Sequence, residues 1–233
     1  MDFSAVFFDL DNTLYPYQSC NEAGKRTAWQ RANDLGYELD REAFEARYQE
    51  ARREVKRELA GTASAHERFL YFKRLIEIHT GTHKSRHALE LGEAYWDAYI
   101  DEMELFDGVV ETFDAIGEAG LDIVIVSNLT TRIQLKKIEH LGIEGSVDLV
   151  VTSEEAGSEK PASVMFTLPL SQLDLRPSEV VMVGDSVTAD IEGGNAVGLT
   201  TVLFNSDEAE LESRRQPDHH VDDFGDIAAV VAA

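Results

Sequence analysis

Short apolar runs that stop abruptly at polar loops, alternating with longer amphipathic stretches, dominate the chain outside residues 16–105. Ala5-Val6-Phe7-Phe8 ends at Asp9-Leu10-Asp11-Asn12-Thr13, the pattern of a buried strand emptying into a loop. Ile123–Val126, Leu149–Val151, Val180–Val183 and Thr201–Phe204 repeat that pattern. Helical spacing predicts helices between them, over Val109–Ala119, Thr131–Leu141, Ala162–Leu173 and Val187–Val197. Strands that are apolar on both faces and separated by helices predict an α/β fold, a doubly wound parallel sheet covered on both sides. Right-handed crossovers then bring every strand C-terminus to one edge. Pro169 lies inside one predicted helix, where its missing N–H predicts a kink or an early stop.

From Pro16 to Leu105 the rhythm changes. No convincing strand occurs, and helical patterns cover Cys20–Leu35, Arg41–Leu59, Ala65–Ile78 and Arg86–Met103, with Trp29, Phe44, Tyr48, Phe69, Phe72 and Trp96 at core-like intervals. This predicts an all-helical domain over residues 16–105, inserted into a sheet domain made of residues 1–15 and 106–233. Tyr15–Tyr17 and Phe106–Gly108 are the expected connections.

Composition narrows the partners. The 233 residues carry 44 acidic against 21 basic side chains, a formal net charge of −23, and such a surface repels nucleic acid and anionic lipid. No apolar run approaches the ~18 residues of a membrane span, and Met1-Asp2-Phe3-Ser4 lacks the basic start of a secretory signal. The expected location is therefore the cytoplasm. One cysteine excludes an intrachain disulfide and a four-thiolate zinc site. The excess of Asp and Glu, with cations that are mostly arginine, suggests a halophilic protein, because molar salt screens self-repulsion.

The polar loops at the strand ends hold the candidate chemistry: Asp9, Asp11 and Thr13; Ser127 and Asn128; Lys160 in Glu-Lys-Pro; and Gly184, Asp185 and Asp190. On a parallel sheet these converge. Several carboxylates in one small volume repel one another unless a cation sits among them, and oxygen ligands alone favour a hard ion, magnesium. Strand alternation aims Asp9 and Asp11 to one side, so that one can attack a substrate atom while the other carries a proton. Lys160 and the metal would neutralise a transferring phosphoryl group. Gly184, without a side chain, would let Asp185 approach the ion closely.

Phe8-Asp9-Leu10-Asp11-Asn12-Thr13-Leu14, Ser127-Asn128, Lys160-Pro161 and Gly184-Asp185-Ser186 with Asp190 resemble the four motifs of the haloacid dehalogenase-like (HAD) superfamily. The resemblance spans essentially the whole chain, with the helical insertion where subfamily I members carry a cap. It implies a Rossmann-like core and a magnesium-dependent phosphatase acting on a small phosphorylated metabolite. By motif, Asp9 is the nucleophile that forms an aspartyl phosphate, and Asp11 is the general acid and then base. Ser127 and the Asn128 backbone hold phosphate oxygens, and Lys160 compensates charge. Asp9, the Asp11 carbonyl oxygen and Asp185 ligate Mg2+, and Asp190 supports the metal's water shell. Asp11 argues against the haloacid dehalogenases themselves, which lack an acid there.

A sugar phosphomutase or a phosphonatase on the same core, the latter using Lys25 as an amine, and a non-catalytic phosphoaccepting module are the alternatives. Homodimerisation is compatible with the sequence. Asp2 and Asp122 read as solvated turn residues, His219-His220 as a wet surface pair, and the arginines of Arg41–Leu59 as a solvated face paired with glutamates.

Overall fold

The computed structural model describes residues 3–205 and 216–231, so Asp2 lies outside the described residues. The chain forms two compact units: the described residues up to Pro16 and from Glu104 onward make one, and Tyr17–Met103 the other.

In the first unit, six parallel strands form one sheet: β1 (Ala5–Phe8), β2 (Asp122–Ser127), β3 (Leu149–Thr152), β4 (Val180–Gly184), β5 (Thr200–Phe204) and β6 (His219–Val221), in the order β3-β2-β1-β4-β5-β6. β1 is central, with Phe7 opposite Val124 on one side and Met182 on the other. Its two faces bury different partners, as period-two geometry requires. Phe7 joins a core with Val126, Met182, Met165 and Phe166, whereas the Phe8 ring meets Phe113 and Phe224 at centroid distances of 5.0 and 5.8 Å. Because chain order reverses on either side of β1, the crevice beyond the ends of β1 and β4 is where an open parallel sheet binds ligands. β6 was not foreseen: three residues with two exposed histidines are too short and too polar for alternation to show. Asp122 is not in a turn; it opens β2 and is partly buried.

Five helices of the second unit's sequence and its neighbour follow in chain order, α1 (Tyr17–Asp34), α2 (Arg41–Glu58), α3 (Arg68–Thr80), α4 (Ser85–Asp101) and, back in the sheet unit, α5 (Val109–Glu118). The helical unit is built on an aromatic core of Phe44, Tyr48, Tyr71, Phe72, Tyr95, Trp96 and Tyr99, while Trp29 and Phe69 are only partly covered. Helices α1 and α4 approach closely at Gly24, where a Cβ would lie 2.8 Å from the Tyr95 ring. The arginines of α2 are a solvated face in part only: Arg47 pairs with Glu50, but Glu54 and Glu58 are bridged by Arg74 of α3.

The remaining helices of the sheet unit are α6 (Thr131–His140), α7 (Ser153–Ala156), α8 (Val164–Gln172), α9 (Glu192–Val197) and α10 (Asp226–Val231). Pro169 does not end α8, which continues to Gln172. Burial of Met165, Phe166 and Leu170 in the sheet core explains this. At roughly 1.5–3 kcal/mol per side chain it exceeds the ~3 kcal/mol an interior proline costs.

Candidate active site

Asp9 leaves the sheet one residue past β1, and its N–H donates to the Val183 carbonyl at 2.9 Å, so the β1–β4 ladder fixes where its side chain emerges. The turn that follows needs a left-handed residue, and Asn12 supplies it at φ 68°. That conformation lets the Asn12 amide donate to Asp185 Oδ2 at 2.7 Å. Thr13 ties the same two loops together: its hydroxyl donates to Asp9 Oδ2 at 3.4 Å and accepts from the Asp185 N–H at 3.1 Å.

Lys160 enters from the loop between α7 and α8. Its ammonium is buried and donates to Asp9 Oδ1, Asp190 Oδ1 and the Val126 carbonyl, each at 2.7 Å, which uses all three of its hydrogens. Asn128 positions it, accepting from the Lys160 N–H at 2.7 Å and donating to the Lys160 carbonyl at 3.3 Å. Asp190 is fully buried rather than on a helix surface, in a π-helical turn over Val187–Ile191, and its second oxygen accepts from the Ser186 N–H at 3.0 Å. A Cβ on Gly184 would stand 2.3 Å from the Asp190 carboxyl. The missing Cβ of Gly184 thus makes room for Asp190.

Carboxylate oxygens of Asp9, Asp185 and Asp190 all lie within 4.8 Å of one another. One ammonium faces three carboxyl groups. Burial raises Asp9 to about 7, with Lys160 opposing and Asp190 and Asp11 adding to the rise. Burial, then the Asp9 charge, raises Asp185 to about 6. Asp190 is raised by burial despite Lys160. Burial alone would lower Lys160, but Asp190 and Asp9 outweigh it and hold the ammonium above its ordinary range. A buried, oxygen-only donor set with this unbalanced negative charge fits a hard divalent cation.

Asp11 stands outside that trio. Tyr15 and Lys137 both donate to its Oδ1, and the Gln134 amide donates to its Oδ2 at 3.3 Å. Burial works to raise the Asp11 carboxyl, yet Lys137, Tyr15 and Gln134 together lower it, so it is ionised. Gln134 also donates to Ser127 Oγ at 2.5 Å, which links two of the expected site residues through α6. Gln134 and Lys137 are residues that sequence reasoning missed. The signal was faint: Ile133, Gln134, Lys137 and Ile138 form the buried face of α6 while Leu135 is about half exposed. Lys25, the candidate amine for phosphonate chemistry, is buried against Glu22 at 2.5 Å and Glu45 at 3.0 Å.

Residues 3–198 match the family model of haloacid dehalogenase-like hydrolases. The chain belongs to that family. Among HAD relatives it is 56% identical, over 98% of its own length and 99% of the other's, to a ribulose-1,5-bisphosphate 5-phosphatase of Halopiger xanaduensis. It is 29% identical to a glyceraldehyde 3-phosphate phosphatase of Methanopyrus kandleri, covering 97% of this chain and 96% of that one. Two solved HAD structures share the fold at low identity. The HAD-hydrolase YfnB of Bacillus subtilis, bound to magnesium, superposes with a TM-score of 0.74 at 19% identity, each chain covered completely. A 2-haloacid dehalogenase of Pseudomonas syringae gives 0.77 at 20% identity, covering 99% of this chain and 98% of that one.

Proposed function

We propose that this HAD hydrolase is a magnesium-dependent phosphatase that hydrolyses a small phosphorylated sugar through an aspartyl phosphate on Asp9. The observation that carries the reading is the Asp9 carboxylate held beside the Lys160 ammonium at 2.7 Å, with Asp185 and Asp190 closing the same volume. Lys160 keeps one oxygen of Asp9 directed away, leaving the other to attack phosphorus as the ester oxygen departs. Ser127 and the Asn128 backbone would hold the phosphate oxygens, and Lys160, its three hydrogens already spent, compensates their charge.

Lys137, Tyr15 and Gln134 hold the Asp11 carboxyl below its ordinary range, which favours the ionised form that takes a proton from the water that cleaves the aspartyl phosphate. Attack of that water on phosphorus breaks the bond to Asp9 and releases inorganic phosphate and the free carboxylate, and the proton now on Asp11 is the one delivered to the leaving oxygen of the next ester. Asp9, Asp185 and the Asp11 carbonyl would hold Mg2+, which supplies positive charge opposite the transferring phosphoryl oxygens. Asp190 spends both oxygens on Lys160 and Ser186, which suits it to support the ligands rather than to be one.

The substrate is a sugar phosphate similar to the one named for the Halopiger relative, and Tyr17–Met103 serves as the cap. The working environment is the cytoplasm at high salt, a reading supported by the net charge of −23 and by that relative's halophilic source. Among the described residues no helix is long and apolar enough to cross a membrane.

Asp9→Asn tests the reading. Turnover of p-nitrophenyl phosphate should fall by a factor on the order of 10³ or more in a protein that still melts cooperatively. Retention of full activity, or activity unaffected by chelation of divalent ions, overturns the mechanism.

A further inference from the structure

Gln134 is an unusual residue to bury. It lies on the inward face of α6 beside Ile133 and Ile138, fully covered, and a neutral amide taken out of water is costly unless its polar atoms find partners. Its nitrogen finds two, Ser127 Oγ at 2.5 Å and Asp11 Oδ2 at 3.3 Å, so both amide hydrogens are spent. Its oxygen finds none: Gln134 Oε1 is buried and accepts no hydrogen bond. The sheet unit supplies all three residues, Ser127 closing β2 and Asp11 following β1.

The orphaned oxygen shows that the amide is held one way round against a cost. Turned over, it would set Oε1 against the Asp11 carboxylate, whose other oxygen already accepts from Tyr15 and Lys137, and two acceptors would face each other without a hydrogen between them. The amide nitrogen is thereby fixed toward Ser127. A serine hydroxyl has one hydrogen and two lone pairs. Because Ser127 Oγ accepts from Gln134, its own hydrogen cannot point back at α6, and among the described residues nothing accepts it. Ser127 is itself 1% exposed, so this hydrogen is a buried donor aimed by its neighbour and left unspent. Were an oxygen in the place of the Gln134 nitrogen, Ser127 would donate to it and have no hydrogen for anything else.

We infer that Gln134 is a positioning residue of the phosphate subsite: its amide makes Ser127 an acceptor toward α6 and hence a ready donor to a phosphate oxygen. This rests on the phosphatase reading above. A donor oriented before the substrate arrives costs no reorganisation when negative charge reaches it. Ser127 touches the phosphate; Gln134 acts through Ser127.

The test is a double-mutant cycle on Ser127→Ala, Gln134→Met and the pair, read as the inhibition constant of orthophosphate against p-nitrophenyl phosphate with Mg2+ present. Melting midpoints are recorded with and without orthophosphate. Orthophosphate has no leaving oxygen, so any loosening of Asp11 in Gln134→Met does not enter this reading. Ser127→Ala should weaken orthophosphate about 10-fold, one hydrogen bond to a charged group, and Gln134→Met about 5-fold. The pair should lie within about 2-fold of Ser127→Ala alone, whereas independent residues would multiply to about 50-fold.

A pair near that product overturns the assignment, as does wild-type affinity in folded Gln134→Met or in Ser127→Ala. If Gln134→Met does not fold, Gln134→Asn, whose amide is one methylene too short to reach both partners, decides by the same comparison. A wild-type protein that hydrolyses no phosphate monoester sinks the phosphatase reading instead. The melting shift then decides the positioning: stabilisation by orthophosphate that Gln134→Met reduces only while Ser127 is present supports it. An equal shift in all four proteins, or none, overturns it.

Discussion

Among the described residues both units bury lysines on carboxylates, Lys25 with Glu22 and Glu45 in the helical unit, but the helical unit also buries a cation on neutral groups. At the sheet edge Lys160 is locked between Asp9 and Asp190, and Lys137 is paired with Asp11, so each cation is spent on a carboxylate of the chain. In the helical unit Arg68 is held by hydroxyls and aromatic faces and keeps its charge uncompensated. The first arrangement holds reacting groups in fixed positions and charge states, which a reaction common to a whole family requires. The second leaves a buried cation whose hydrogen-bond partners are all neutral.

Lys160 is the sharpest place to break that contrast. Lys160→Met removes three hydrogen bonds and leaves Asp9 and Asp190, both buried, facing each other without a cation. Breaking a buried pair in this way costs about 3–5 kcal/mol of stability. Loss of the charge facing the phosphate should lower kcat by a factor on the order of 10³. Activity assays and melting curves on the same preparation check both. If Lys160→Met is as stable and as active as wild type, the sheet-edge cations are not fixed machinery and the distinction between the units fails.

A smaller effect is expected one step away, at Lys137 and Gln134. They restrain Asp11 and do not touch Asp9. Lys137→Met should therefore slow alkyl phosphates, whose leaving oxygen needs a proton, by about 10–100-fold, and change p-nitrophenyl phosphate much less. Rates across a series of leaving groups check it. A uniform loss would show that Lys137 supports the fold and not Asp11.

How much of this was legible in the sequence follows from where the residues sit. Asp9, Ser127 and Asp185 lie at or just past strand ends, and a short apolar run that stops at a polar residue marks such a place without any knowledge of packing. Lys137 carries no such mark. It is adjacent to Lys136, chemically identical to it, and only the rotation of α6 puts one in the interior and the other in solvent. That Gly184 also makes room for Asp190 could not be read, because Asp190 is brought back against it by the π-helical turn. Arg68 was unreadable for a related cause. Its neighbours Tyr17, His66 and Tyr95 come from three separate stretches, and helical spacing says which residues are interior but not which of them share a partner.

The mildest perturbation, pH, tests the charge surplus at the sheet edge. Without a divalent ion, burial and mutual repulsion hold Asp9 up to about 7 and Asp185 up to about 6, against 3.8 for an ordinary aspartate. Between about pH 4 and 7 the folded chain thus binds more protons than the unfolded one, so the contribution of these groups to stability is full below about 4 and is lost as pH rises through about 7. Asp11 runs the other way. Its lowered carboxyl contributes stability that is present above the ordinary aspartate range and lost as pH falls through its own depressed value, outside the window in question. Melting in chelator should therefore drop between pH 5 and 7.5, by on the order of 2 kcal/mol once molar salt has screened the surface charge. Asp9→Asn should flatten much of the slope. Added Mg2+ should do so by a different route, binding the ionised carboxylates and releasing protons, with an apparent affinity that climbs toward pH 7. A melting midpoint that is level or rising across that window in chelator would mean that Lys160 alone balances the three carboxylates and that the donor set has no need of a metal.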